Sequence, residues 1–452
     1  MSRALQSSGL ACLRFLLRLN SRFVGRRPAH AATAVATGQT LVSSLRHGEF
    51  ISATTLGVAL ALTSATQLRA PLLPVGPGEV LLFLWLVIAL FGFVREGRVE
   101  QTVLTQPIIV FWMVTLVSLF LGWCTGIYLN VWDPASTRDA IAVALAASVV
   151  GLSVVQPRCA ARIWTASGAL AITYVACLGM LLLLTALGRP TLGPINALFG
   201  FRFAGWATNP NQTALTASII PFLAWEHARR SRGIMARVMW SCVALGALVI
   251  GAATLSDALM LAWGAAAAVG LGLWWWKASF LQTARRRNKL LAVFGVPLLV
   301  AVGGVVYGPR LFGIAEATVE SSYDDGGQGS DRVARWQHGL EAAARAPVFG
   351  LGPGSYSGPF APFQGEEAHN SPIDWMDATG VVGLIALLSL WAWVAHRVHV
   401  SQRAGAGIAL CALIVFSMFH FVLRQPVFWF FLLALASPLP LLRARSPRLG
   451  AH

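Results

Sequence analysis

Charge is what this chain has least of. Of its 452 residues only 12% are Asp, Glu, Lys or Arg, while 56% are hydrophobic. An ordinary soluble domain carries about 25% charged residues. The shortage excludes a soluble core wrapped in a charged surface. Acid is scarcer than base, with 18 Asp and Glu against 34 Lys and Arg, a net charge of +16. Lysine is nearly missing, with only Lys277 and Lys289 against a background of arginine, as suits a GC-rich bacterial genome. Cysteine is sparse too: positions 12, 124, 159, 177, 242 and 411 show neither metal-ligand nor disulfide-framework spacing. The nine histidines show no ligand spacing beyond His396 and His399, three apart at a helix end facing inward. No metal and no cofactor are expected.

What is there in abundance is apolar sequence in runs of about 17 to 25 residues, the length that crosses a bilayer. Twelve spans are predicted: 50–68, 78–94, 106–128, 139–156, 163–187, 210–226, 234–253, 256–276, 289–307, 372–395, 404–423 and 426–442. The expected fold is all-α, a polytopic inner-membrane protein. It is organised as a basic cytoplasmic segment 1–48, spans one to nine in 49–307, a periplasmic loop 308–371, spans ten to twelve in 372–442, and a basic cytoplasmic tail 443–452. With both termini inside, about 25 of the 34 basic residues fall on the inner side, the bias that orients membrane proteins. The positive charge therefore reports topology and contact with membrane lipids, and no nucleic-acid partner is expected. Residues 1–48 hold seven arginines and no acid. Arg14 and Arg18 interrupt any signal-peptide core, so no cleavage is expected. A basic surface helix over Leu10–Leu19, a disordered tail and a mitochondrial transit peptide remain open readings of this segment.

Two connections are long, 188–209 and 308–371, and both face outward in this topology. Long patterned connections tend to be functional. In the second, helices are predicted over 314–323 and 329–346, the latter placing Arg332, Arg335 and Trp336 on one face. The acidic turn Asp324–Gly329 lacks the alternating ligands of a calcium loop. The run Gly350-Leu351-Gly352-Pro353-Gly354 lacks the spacing and preceding strand of a dinucleotide motif. It reads as a tight turn that lets backbone approach a ligand or another helix.

Ser371-Pro372-Ile373-Asp374 has the form of a helix start, with Ser371 as N-cap. His369 then sits just ahead of a helix N-terminus, which disfavours imidazolium; a neutral imidazole is what a general base requires. Asn209-Pro210-Asn211 repeats the device, with Arg202 on its approach. Two helix N-termini and three arginines on one side suggest a diphosphate site. The plainer alternative is that these arginines meet lipid headgroups and that His369 makes a structural hydrogen bond. Asp257, between two spans, reads as a cap on a short turn or as a buried relay carboxylate.

The ordered set of these pieces resembles the O-antigen ligase/polymerase family of bacterial membrane glycosyltransferases. Arg202 through Asn209-Pro210-Asn211 is similar to that family's Arg…Gly…Asn-Pro-Asn segment. Arg332-Val333-Ala334-Arg335-Trp336, Pro347 through Gly354, then His369-Asn370 and Gly380 through Leu384 carry the rest. The family often has Ser-Arg-Gly-like residues where this chain has Ser256-Asp257-Ala258. The resemblance implies a helical fold related to the GT-C type and an inverting, metal-independent transferase. Its donor would be a glycan on undecaprenyl diphosphate, and its acceptor a glycan or lipid A–core hydroxyl in the periplasm. It implies catalytic roles for His369, Arg332 and Arg202. Arg335, Trp336, Asn209, Asn211, Asn370, Gly352 and Gly354 would bind substrate. Polymerisation of O-antigen or exopolysaccharide is slightly favoured over ligation to lipid A–core. A twelve-helix secondary transporter is the reading from another class.

Overall fold

The computed structural model describes residues 45–70, 75–97, 99–131, 136–280, 328–354, 366–401 and 403–438. Its helices, in chain order, are α1 His47–Leu62, α2 Pro77–Glu96, α3 Thr105–Tyr128, α4 Ser136–Val155 and α5 Cys159–Ala186. Then come α6 Pro210–Ala217, α7 Ile220–Arg230, α8 Ile234–Ala253, α9 Asp257–Phe280 and α10 Gln328–Arg345. The last are α11 Ser371–Val400, α12 Ala404–Ser417 and α13 Pro426–Ala436. Seven of these, α2, α3, α4, α5, α8, α9 and α11, are long and apolar enough to cross a membrane. Their outward faces are rich in large apolar side chains, such as Phe83, Phe91, Met113 and Phe120. Such faces suit a hydrocarbon solvent, where each helix satisfies its own backbone.

The expected count of twelve spans meets several differences. The first expected span is the 16-residue α1. The sixth is divided into α6 and α7, because the chain leaves the helix at Ser218–Ile219 just before Pro221, which has no N–H to give. Ser218 and Ile219 are fully buried, and Ser218 Oγ donates to the Leu215 carbonyl. Irregular backbone at membrane depth is tolerated only when buried in this way. The eleventh and twelfth are α12 and α13, of 14 and 11 residues. At a rise of about 1.5 Å per residue, α13 is about half the thickness of a hydrocarbon core. Every residue of α13 is buried, so it forms an interior plug rather than a lipid-facing rod. The ninth expected span, the 314–323 helix and the N-terminal surface helix lie outside the described residues.

Small residues set the closest packing. A Cβ on Gly57 of α1 would meet the Ala166 carbonyl of α5 at 2.2 Å, so the two backbones nearly touch, as small residues permit. α11 is broken at Gly380, whose φ of 64° and ψ of −169° leave the helix. The glycine-rich run fills the break. Val381 and Val382 donate to the Pro347 and Val348 carbonyls at 2.8 and 3.3 Å, and Leu351 and Gly352 donate back to Asp377 and Ala378 at 2.7 and 3.1 Å. On the other side this run lies against Gly122 and Gly126 of α3. It approaches two helices, one of the alternatives that the sequence left open.

The 188–209 connection departs from an all-α expectation. It folds as two small antiparallel hairpins, β1 Thr191–Leu192 with β2 Ile195–Asn196, and β3 Leu198–Phe199 with β4 Arg202–Phe203. Gly193 and Gly200 supply positive φ at the turns. The residues after α1 hold this segment in place. Trp206 Nε1 donates to Ser64 Oγ at 2.8 Å, and Gln67 Nε2 donates to the Asn196 and Ala207 carbonyls at 2.8 and 2.6 Å.

Candidate functional site

One cleft of about 660 Å³ is bounded by the hairpin segment, the starts of α6 and α9, helix α10, the residues before α11, and the 418–425 connection. Three of the arginines singled out from sequence, Arg202, Arg332 and Arg335, line it together with His369, Asn209 and Asn211. Four others do not reach it. Trp336 is half-buried away from the cleft, Gly352 packs on Trp123 of α3, and Gly354 follows it in the same turn. Asn370 is buried at the start of α11.

Two helix starts are built as caps. Asn209 Oδ1 accepts from the Asn211 N–H at 2.9 Å, with Pro210 at the first helical position. At α11 the cap is Asn370, one residue earlier than expected, whose Oδ1 accepts from Ile373 N–H at 3.3 Å. The Asp374 carboxylate reaches back to accept from the N–H groups of Ala368 and Asn370 at 2.8 and 3.0 Å. Ser371, expected as the cap, instead donates to the His420 carbonyl at 2.6 Å and accepts from Val422 N–H at 3.1 Å. It thereby staples the 418–425 connection to the start of α11. His369 sits between these constraints with a φ of 55°, a left-handed conformation uncommon for a non-glycine residue.

The cations of the cleft are unequal. Arg335 pairs with Glu366 at 2.8 Å. Arg202 is held by neutral acceptors: Nε donates to the Thr254 carbonyl at 3.0 Å and Nη2 to Asn211 Oδ1 at 3.1 Å. Among the described residues no carboxylate pairs with Arg202 or Arg332. Neither guanidinium is neutralised by a direct ion pair among the described residues, in a cavity that holds the capped start of α6 along with Asp257, Glu366 and Glu367. Such an arrangement attracts an anion and offers it charge-assisted hydrogen bonds.

Four groups that the sequence reading did not single out complete the cleft. Glu366 and Glu367 precede His369 directly, and an acid pair beside a candidate histidine was the one signal available. Glu367 lies 3.5 Å from His369 Nδ1 and is gripped on its other oxygen by Arg424. Arg424 in turn faces Asp139 of α4 at 3.7 Å. Burial works to raise the Glu367 carboxyl, but His369 and the Arg424 guanidinium outweigh it and hold the group below the usual carboxylate range. His420 faces His369 with ring centroids 6.1 Å apart. Burial, with the cations Arg332 and Arg202 assisting, pushes its imidazole down to about 3. Asp257 is the first residue of α9 and is exposed on the cleft wall, so it is not the buried carboxylate of the relay reading. Among the described residues no group of three or more His, Cys, Asp or Glu is placed to hold a metal ion.

No curated protein matches the chain. A family model does match, over residues 242–388. That stretch runs from α8 into α11 and contains Arg332, Arg335 and His369, while Arg202 and the α6 cap precede it. The matching model is described as O-antigen ligase, so residues 242–388 are similar to that family and support the resemblance to the O-antigen ligase/polymerase family.

Proposed function

We propose that the cleft transfers a glycan from undecaprenyl diphosphate to an acceptor hydroxyl at the periplasmic face of the inner membrane. The observation that carries the reading is the convergence of Arg202 and Arg332, neither ion-paired with a carboxylate among the described residues, on the cavity that His369 lines. The acceptor oxygen attacks the anomeric carbon and forms the new glycosidic bond. The bond from that carbon to the diphosphate oxygen breaks, with inversion, and its electron pair leaves on the lipid diphosphate. The acceptor proton passes to His369. Developing charge on the leaving group is the main electrostatic problem, and donors already aimed at it are the usual solution. Arg202 and Arg332 clamp it, each charge-assisted hydrogen bond contributing about 1.5–3 kcal/mol. Arg335, tied to Glu366, supports the wall, and Asn209 and Asn211 hold the α6 start towards the anion. Asn370 acts indirectly, by capping the helix that carries His369.

Polymerisation onto another lipid-linked repeat is slightly favoured over ligation to lipid A–core. The envelope glycan profile of a deletion strain, complemented with wild type or His369→Ala, separates these activities. Single repeat units with long chains lost identify a polymerase. Long chains left on the carrier lipid beside bare lipid A–core identify a ligase. A profile unchanged by deletion contradicts the proposal and favours the transporter reading.

A further inference from the structure

We infer that Glu367 is a positioning residue that fixes the imidazole of His369, with Arg424 and Asp139 holding Glu367 in place. The inference deepens the proposed reaction and rests on His369 being its base. The geometry is a chain across three elements. Asp139 on α4 faces Arg424 in the 418–425 connection, Arg424 grips Oε1 of Glu367, and Oε2 of Glu367 lies 3.5 Å from His369 Nδ1. Glu367 is mostly buried, its side chain 16% exposed, while the His369 side chain is 37% exposed. A carboxylate is an acceptor only, so it selects the tautomer with the proton on Nδ1. That leaves Nε2 with its lone pair for the cleft. The alternative tautomer would set two acceptors face to face.

A 3.5 Å separation is long for a hydrogen bond. Catalytic contacts in unliganded sites are often loose and tighten as charge develops. When Nε2 takes the acceptor proton, the ring becomes a cation beside an anion that is already desolvated and already oriented. The carboxylate keeps its charge and takes no proton, so the proton remains on His369 until solvent removes it. Other groups around the ring do not compete for Nδ1. His420 faces it from the 418–425 connection without a hydrogen bond between the two rings, and Arg332 of α10 and Arg202 of β4, which share the cleft, are cations with no acceptor to offer. Asp374, the other near carboxylate, is occupied by the Ala368 and Asn370 N–H groups. The two-residue spacing of Glu367 and His369 works because Ala368 is buried and pinned to Asp374, and because His369 takes a left-handed φ.

The test uses the full chain in detergent micelles, with ¹⁵N-labelled histidine. The His369 signals are assigned by their loss in His369→Gln. Wild type is expected to show one dominant His369 tautomer, protonated on Nδ1. Glu367→Gln presents either an acceptor or a donor to Nδ1 and is expected to give a mixture. With an undecaprenyl-diphosphate-linked glycan as donor, the same variant is expected to lose about 100-fold in kcat with KM little changed, and Glu367→Asp to recover part of it. Because Glu367→Gln leaves Arg424 short of a partner, the double variant Glu367→Gln/Arg424→Gln serves where the single one does not fold. A folded variant that keeps the wild-type tautomer and kcat overturns the inference. A wild-type protein that transfers no glycan overturns the proposed reaction instead, and the tautomer spectrum still decides the role of Glu367.

Discussion

The Arg202 guanidinium donates from Nη2 to Asn211 Oδ1 at 3.1 Å while its Nε donates to the Thr254 carbonyl at 3.0 Å. One side chain therefore ties the second hairpin to the start of α6 and to the turn before α9. Lysine carries a similar charge but lacks the planar fork that serves two acceptors at fixed angles. Arg202→Lys is predicted to reduce glycan transfer at least ~10-fold in a reconstituted assay. The thermal midpoint should move little, because the loss is of about one hydrogen bond.

The glycine-rich run is predicted to be an internal splint. A Cβ on Gly122 would sit 2.5 Å from the Phe349 carbonyl oxygen, and one on Gly126 would sit 2.5 Å from that of Leu351. Both partners are backbone, so they give way only by separating the run from α3. Gly122→Ala and Gly126→Ala should each destabilise by about 1–3 kcal/mol, read as a lower unfolding midpoint in detergent. Gly92→Ala on α2, with nothing within 4 Å of its added carbon, should be neutral or slightly stabilising.

His420 predicts a pH dependence of stability. Its folded value is about 3, against about 6.5 for a histidine in the unfolded chain. Between those values the unfolded state binds more protons, so stability falls as pH drops through that window. His420→Gln removes this contribution. Its unfolding midpoint should fall less steeply than that of wild type when scanned from about pH 7 to about pH 5. Parallel pH profiles for the two proteins would contradict the assignment.

Much of the membrane scaffold was legible because length and apolarity are local properties. Seven helices matched spans drawn from hydropathy alone. The breaks were less legible. Hydropathy runs smoothly through Ser218–Ile219 and through Gly380, and only the buried partners seen in the fold make those interruptions tolerable. The α11 cap was misplaced by one residue because Asn370 and Ser371 are both good caps; tertiary contact with His420 and Val422 decides between them. The arginines and His369 could be read as a cluster because the two long polar connections concentrate them. Arg424 could not. It stands between two apolar helices, and only packing of the 418–425 connection onto the start of α11 brings it to Glu367.

The central claim is that Arg332 stabilises a leaving diphosphate while His369 accepts the acceptor proton. Purified wild type, Arg332→Ala and His369→Ala, reconstituted at equal amounts with an undecaprenyl-diphosphate-linked glycan and an acceptor glycan, test it directly. The account predicts that each variant folds normally and loses about 100-fold or more in transfer rate. Full transfer by either folded variant would contradict it.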